Sequence, residues 1–150
     1  LSHVVSVNIV IKDLAALEQA CRELGLQFKR DQKTHKWWGR WENDFSRQDA
    51  AYIQSGIKTE DYGKCEHAIG VPDSGYEIGV YKNPKGTGYV LAYDNFGTGQ
   101  IILQKLGAGL EKLKQGYAVA KATMAAKAQG WMVSRQTLKN GTIKLSMFGV

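Results

Sequence analysis

The chain has 150 residues, 43% of them hydrophobic and 23% charged, the make-up of one ordinary globular domain long enough to bury a core. No apolar run approaches the roughly 20 residues that span a bilayer, and two cysteines build no disulfide framework, so a reducing cytoplasm is the expected setting. The net charge of +6 is uneven: residues 105 to 150 hold eight lysines and arginines against one acid, Glu111, while the first 104 residues hold twelve against thirteen. Such asymmetry favours an anionic partner, although a solvated basic face produces the same count.

Leu1 stands where a methionine is usual, which fits a trimmed chain or a UUG start in a bacterial or phage gene. Residues 3 to 11 read as a strand, with Val5, Val7, Ile9 and Ile11 on one face. Asp13 is placed to cap a helix whose stripe is Leu14, Leu17, Cys21 and Leu24, and Gly25 followed by Leu26 suits a Schellman ending. Cys21 on that stripe reads as an inert core thiol. Residues 28 to 41 read as one or two strands. Residues 42 to 64 are polar and aperiodic, a long loop with room for a helical turn near Arg47–Gln54.

Three strand candidates follow, "CEHAIGV", "YEIGVYK" and "GYVLAYD", joined by turn-forming "PDSG" and "NPKGTG", as in an antiparallel meander. The period then predicts one long helix from Leu106 to Gln129, ended by Gly130, with Leu106, Leu110, Leu113, Tyr117 and Met124 on its stripe. A hairpin closes the chain around Asn140-Gly141. A two-residue turn there sets Leu138 opposite Ile143 and Gln136 opposite Leu145. Trp131, Arg135, Lys139, Lys144 and Phe148 then fall together on the outer face, where bases interleave with aromatics.

The chemistry is sparse. "CEH" offers Cys65, Glu66 and His67, but a zinc site needs three or four convergent ligands, so no metal is expected. A Cys65–His67 pair could share a strand face, yet nothing supplies an orienting acid or an oxyanion hole. His67 shares a face with Ile69 and Val71, which favours a satisfied, partly buried histidine. Gly107 and Gly109 near a helix start, with Lys105 close by, make a weak anion site. The sharpest feature is "KTHKWWGRW". As a strand it puts His35, Trp37, Gly39 and Trp41 on one face and Trp38 and Arg40 on the other. One indole beside a cation is then expected to reach solvent, unless the sheet is covered on both sides.

The opening "SHVVSVNIVIKDLAALEQACRELGL", with "YGKCEHAIGV", "YEIGV", "LKQGYAVAKATMAAKAQGW" and "NGTIKLSM" in the same order, resembles the family numbered twelve-fifty-seven among domains of unknown function. That family has plastid, cyanobacterial, bacterial and phage members. The resemblance implies no activity. It places Tyr62, Gly63, Lys64, Cys65, His67, Tyr76, Glu77 and Tyr117 in motif blocks. The proximity of some relatives to AAA-type ATPases makes an adaptor role conceivable.

The sequence therefore predicts one α+β domain over residues 1–150: a mostly antiparallel sheet, two helices packed on it and a C-terminal β-hairpin. The expected function is non-enzymatic binding of a nucleotide-like anion, in the manner of a phage sequestration protein, with no cofactor. Trp37, Trp38 and Trp41 are the stacking candidates, and Arg40, Lys64, His67, Lys105 and Arg135 complete the candidate site. A single-stranded nucleic-acid binder and an adaptor subunit are the rivals. Self-association stays open, and no membrane partner is expected.

Overall fold

In the computed structural model, residues 4–37 and 56–149 are described. The elements are β1 (Val4–Ile11), α1 (Leu14–Glu23), β2 (Gln27–Lys29), β3 (His67–Gly70), β4 (Glu77–Lys82), β5 (Tyr89–Asp94), α2 (Gln100–Leu106), α3 (Glu111–Ala128), β6 (Met132–Thr137) and β7 (Ile143–Phe148). The first five strands form one sheet in the order β1-β5-β4-β3-β2, and β6 and β7 form a separate two-stranded sheet. Every pairing is antiparallel. The α+β reading and the meander of β3, β4 and β5 are thus present. No helix among the described residues is long and apolar enough to cross a membrane.

Local chemistry sets the ends of α1. The Asp13 carboxylate accepts from the Ala16 N–H at 3.1 Å, satisfying one of the orphan donors of the first turn. At the other end Gly25 takes φ +73°. The Leu26 N–H then reaches the Cys21 carbonyl at 2.8 Å and the Gly25 N–H the Arg22 carbonyl at 3.3 Å, the two bonds of a Schellman ending. The buried face of α1, Ala16, Leu17, Ala20 and Cys21, packs toward α3. Small residues allow the close approach: a Cβ at Gly116 would sit only 3.3 Å from that of Ala20.

The sheet is covered on both faces. On one side Val7, Ile11, Ile69, Ile78, Val80, Leu91 and Tyr93 meet the helices in the main core. On the other, Tyr81, Val90 and Ala92 meet Trp37, Ile57, Tyr62 and Cys65, carried by the chain around β2–β3. This second layer is why Trp37 is buried at 4% exposure.

Three expectations need correction. The long helix is two: α2 stops at Leu106, Gly107 takes φ +94°, Leu110 takes φ +55°, and α3 begins at Glu111. The apolar stripe runs through the break because Leu106, Leu110 and Leu113 are all buried. Of the strands expected over 28 to 41, the described residues show β2, three residues long, and one isolated bridge of Thr34 with Lys64, while residues 38 to 41 lie outside the described residues. The hairpin turn has three residues, not two. Thr137 pairs with Ile143 and Arg135 with Leu145, because Gly141 at φ +85° closes a longer loop in which the Asn140 side chain accepts from the Thr142 N–H. The one-residue slip exchanges faces. Arg135 shares its face with Ile143 and Leu145, opposite Lys144 and Phe148.

Candidate functional site: a lysine-rimmed groove over a buried histidine

After β2 the chain is strapped across the second face by its own backbone. The Lys33 carbonyl accepts from the Cys65 N–H at 2.8 Å, the His35 N–H donates to the Gly63 carbonyl at 3.1 Å, and the Lys36 carbonyl accepts from the Glu77 N–H at 3.0 Å. These bonds turn His35 and Trp37 inward. His35 lies over Gly79, where any Cβ would collide with the imidazole. Its Nδ1 stands 3.2 Å from the Glu77 carbonyl and its Nε2 2.5 Å from the Tyr81 hydroxyl. A carbonyl only accepts, so Nδ1 carries the proton. The Tyr81 oxygen also accepts from the Gly63 N–H at 2.7 Å, so its own proton goes to Nε2. Burial pushes the His35 pKa down to about 4, which keeps the ring neutral.

Glu77 is the second buried polar group. Its carboxylate takes Lys29 at 2.7 Å, the Gln32 amide at 3.0 Å and the Lys36 N–H at 3.0 Å. Burial opposes its ionisation, but these donors outweigh burial and hold its pKa below the usual carboxylate value. The three hydrogen bonds fasten residues 29–36 to β4.

Beside this scaffold lies a groove of about 560 Å³. Lys33, Lys58, Lys64 and Lys82 stand around it, with Ile57 and Pro84 as apolar lining. Lys33 pairs with Glu66 at 2.6 Å, and that hydrogen bond holds the Glu66 carboxyl below its ordinary pKa. Asp61 also lines the groove. Two acids thus offset part of four lysine charges and leave the groove net cationic. A neighbouring cavity of about 480 Å³ reaches His35 and Trp37 and shares Lys64 and Thr34 with the groove.

The groove contains one residue of the sequence-derived set, Lys64. Trp37 is buried edge-on against Tyr62, with ring centroids 4.2 Å apart, inside the second core. Trp38, Arg40 and Trp41 lie outside the described residues. His67 is on the helix-covered face: it pairs in register with Val80, stacks near Phe28 and Tyr89, and accepts the Asp31 N–H at 2.9 Å. Lys105 reaches Asp73 at 3.2 Å and Arg135 reaches Glu23 at 3.2 Å, both away from the groove. The anion site expected at Gly107 and Gly109 is filled by the chain itself, because the Glu111 carboxylate lies against both glycines.

The nucleophile reading also fails on geometry. Cys65 precedes β3 and packs in the second core, while His67 faces the main core, so the pair is split between faces. The Cys65 thiol donates to the Gln32 carbonyl at 3.5 Å, and burial pushes its pKa up to about 12. No group of three potential metal ligands converges among the described residues. Lys33, Lys58 and Lys82 were missed by sequence reasoning because they come from separate segments; only their alignment beside β3 and β4 makes them a site. No family model, curated protein or solved structure matches the chain.

Proposed function

We propose that this chain binds a small nucleotide-like anion by its phosphate groups in the groove of Lys33, Lys58, Lys64 and Lys82, and does no chemistry on it. The carrying observation is the convergence of four lysines from three chain segments on a cavity of about 560 Å³. That volume falls within the roughly 300–1,000 Å³ typical of small-molecule sites. Ile57 and Pro84 supply the apolar contact that a base needs. The absence of catalysis rests on His35, both of whose ring nitrogens are engaged, and on Cys65, whose thiol is buried. The resemblance to family twelve-fifty-seven adds no activity to this reading.

The test is calorimetric titration and thermal shift with mononucleotides, cyclic dinucleotides, pyrophosphate and a short oligonucleotide, at low and moderate salt. One nucleotide is expected to saturate one site and, at 100 times its dissociation constant, to add about 2.7 kcal/mol of stability. Lys64→Ala is expected to weaken that binding about tenfold, a loss of about 1.4 kcal/mol. A flat panel overturns the reading. Binding of the oligonucleotide alone, falling steeply with salt, replaces it with single-stranded nucleic-acid binding.

A further inference from the structure

The two sheets treat their edges differently. In the main sheet, edge strand β2 has three residues, and edge strand β1 shifts register between Val7 and Ile11. Both devices discourage further pairing. The hairpin has neither. β6 and β7 pair without a break from Met132–Phe148 to Thr137–Ile143, and each leaves one edge unpaired among the described residues. No residue of either strand is buried, and Met132 and Phe148, paired at the open end, are 66% and 54% exposed. A two-stranded sheet with so little burial is at the lower limit of stability, and a third strand completes it.

The two free edges are not equivalent. β6 reaches toward α1: Arg135 bonds Glu23, and a cavity of about 400 Å³ is lined by Gln19 and Glu23 of α1, Thr123 and Lys127 of α3, and Val133 and Arg135 of β6. The free edge of β7 is the one turned away from β6, the strand whose Arg135 holds Glu23. The Leu138 N–H to Thr142 carbonyl bond at 2.8 Å sets the phase of the ladder. By antiparallel alternation Lys144, Ser146 and Phe148 direct their N–H groups to β6, and Ile143, Leu145 and Met147 direct theirs outward. Two lysines belong to the hairpin beside this row, Lys144 in β7 and Lys139 in the turn, and neither forms an ion pair among the described residues. From residue 105 onward the chain carries eight lysines and arginines against one acid. Glu111, the sole acid after residue 104, is folded against Gly107 and Gly109.

We propose that the free edge of β7 docks an extended, acidic segment of a partner protein, which adds to the hairpin as a third strand. The outward N–H groups of Ile143, Leu145 and Met147 bond its carbonyls. Its carboxylates share the face of Lys144, and its apolar side chains meet Leu145 and Met147 on the other face. Nucleic acid fits less well: methionine and leucine are protein anchors rather than stacking platforms, and a row of strand N–H groups matches a peptide backbone. A second copy brings one cationic surface against another. The inference is independent of the lysine groove.

The test uses a labelled peptide of about eight residues alternating glutamate with valine, a length that matches a strand, a lysine-for-glutamate control and a short oligothymidylate. Fluorescence anisotropy reads binding and amide NMR shifts locate it. The acidic peptide is expected to bind, to weaken with salt and to shift the β7 amides, while the basic peptide does not bind. Met147→Pro removes an outward donor and is expected to weaken binding at least about tenfold, whereas Thr137→Pro, on the opposite edge, leaves it unchanged. Lys144→Glu, which disturbs no ladder bond, is expected to weaken it as well. No peptide binding at about millimolar concentration, equal binding by Met147→Pro, binding of the oligonucleotide alone, or self-association through the hairpin each overturns the proposal.

Discussion

The hydroxyl of Tyr81 stands 2.5 Å from Nε2 of His35, with both side chains buried and 46 positions apart in the chain. The same oxygen takes the Gly63 N–H. One hydroxyl thus satisfies two buried groups on two other segments and holds the second face of the sheet together. Tyr81→Phe leaves both without a partner. The expected cost is about 2–4 kcal/mol, read as a lower urea midpoint at unchanged slope. A cost below about 0.5 kcal/mol means that water replaces the hydroxyl.

His35 predicts a dependence on pH. Its folded pKa of about 4 lies below the ordinary 6.5, so between those values the unfolded chain binds more protons. Stability therefore falls as pH drops from 6.5 to about 4, by about 3 kcal/mol for this residue, and His35 contributes no slope above that window. Burial lowers the His67 pKa too and adds loss in the same direction. Glu77 acts further down: its depressed pKa gives stability above 4.5 that disappears as pH falls through the folded value. Urea unfolding across this range checks the slope, and His35→Gln is expected to flatten it in the His35 window.

Both thiols are expected to be inert in the native chain. Burial raises Cys21 and Cys65 to pKa values of about 12. At pH about 8 neither reacts with an aromatic disulfide reagent within minutes, and both react once urea unfolds the chain. Fast native labelling of Cys65 would revive a nucleophilic role.

Gly79 and Gly70 make a contrasting pair. A Cβ at Gly79 meets the rings of His35 and Tyr81, which have no room to move, whereas at Gly70 it meets the flexible end of Lys29. Gly79→Ala is expected to cost about 1–3 kcal/mol. Gly70→Ala is expected to cost clearly less. Equal melting temperatures for the two variants contradict the close seating of His35.

Lys105 and Arg135 separate charge count from site. Their ion pairs with Asp73 and Glu23 are exposed. Lys105→Ala and Arg135→Ala are each expected to change stability by no more than about 1 kcal/mol, and to leave nucleotide titrations unaltered. Weakened binding in either moves the anion site to the C-terminal third.

Features governed by neighbours in sequence were legible beforehand. The Asp13 cap, the Gly25 ending and the turns that join β3 to β5 depend on contacts within a few residues. The helix break was hidden because Leu106, Leu110 and Leu113 keep one apolar stripe through it; Gly107 and the left-handed Leu110 are the signals that period alone overrode. The hairpin slip turned on one residue of loop length, which Asn140-Gly141 permits in either form. His35 and Trp37 were placed on one face that could enter the core, but the second layer of Ile57, Tyr62 and Tyr81 that covers Trp37 was not legible. The groove was invisible for the same reason.

The hydroxyl of Tyr117 accepts the N–H groups of Lys12 and Asp13 at 3.1 and 3.2 Å, across more than 100 residues. The entry to α1 is therefore fastened by a side chain of α3. During synthesis this corner of the main core stays open until α3 has emerged, and a nascent chain that stops after β5 exposes Leu17, Ile78 and Leu91. The near-neutral and basic portions of the chain thus share one core, and the period of greatest risk of aggregation ends only with the last helix.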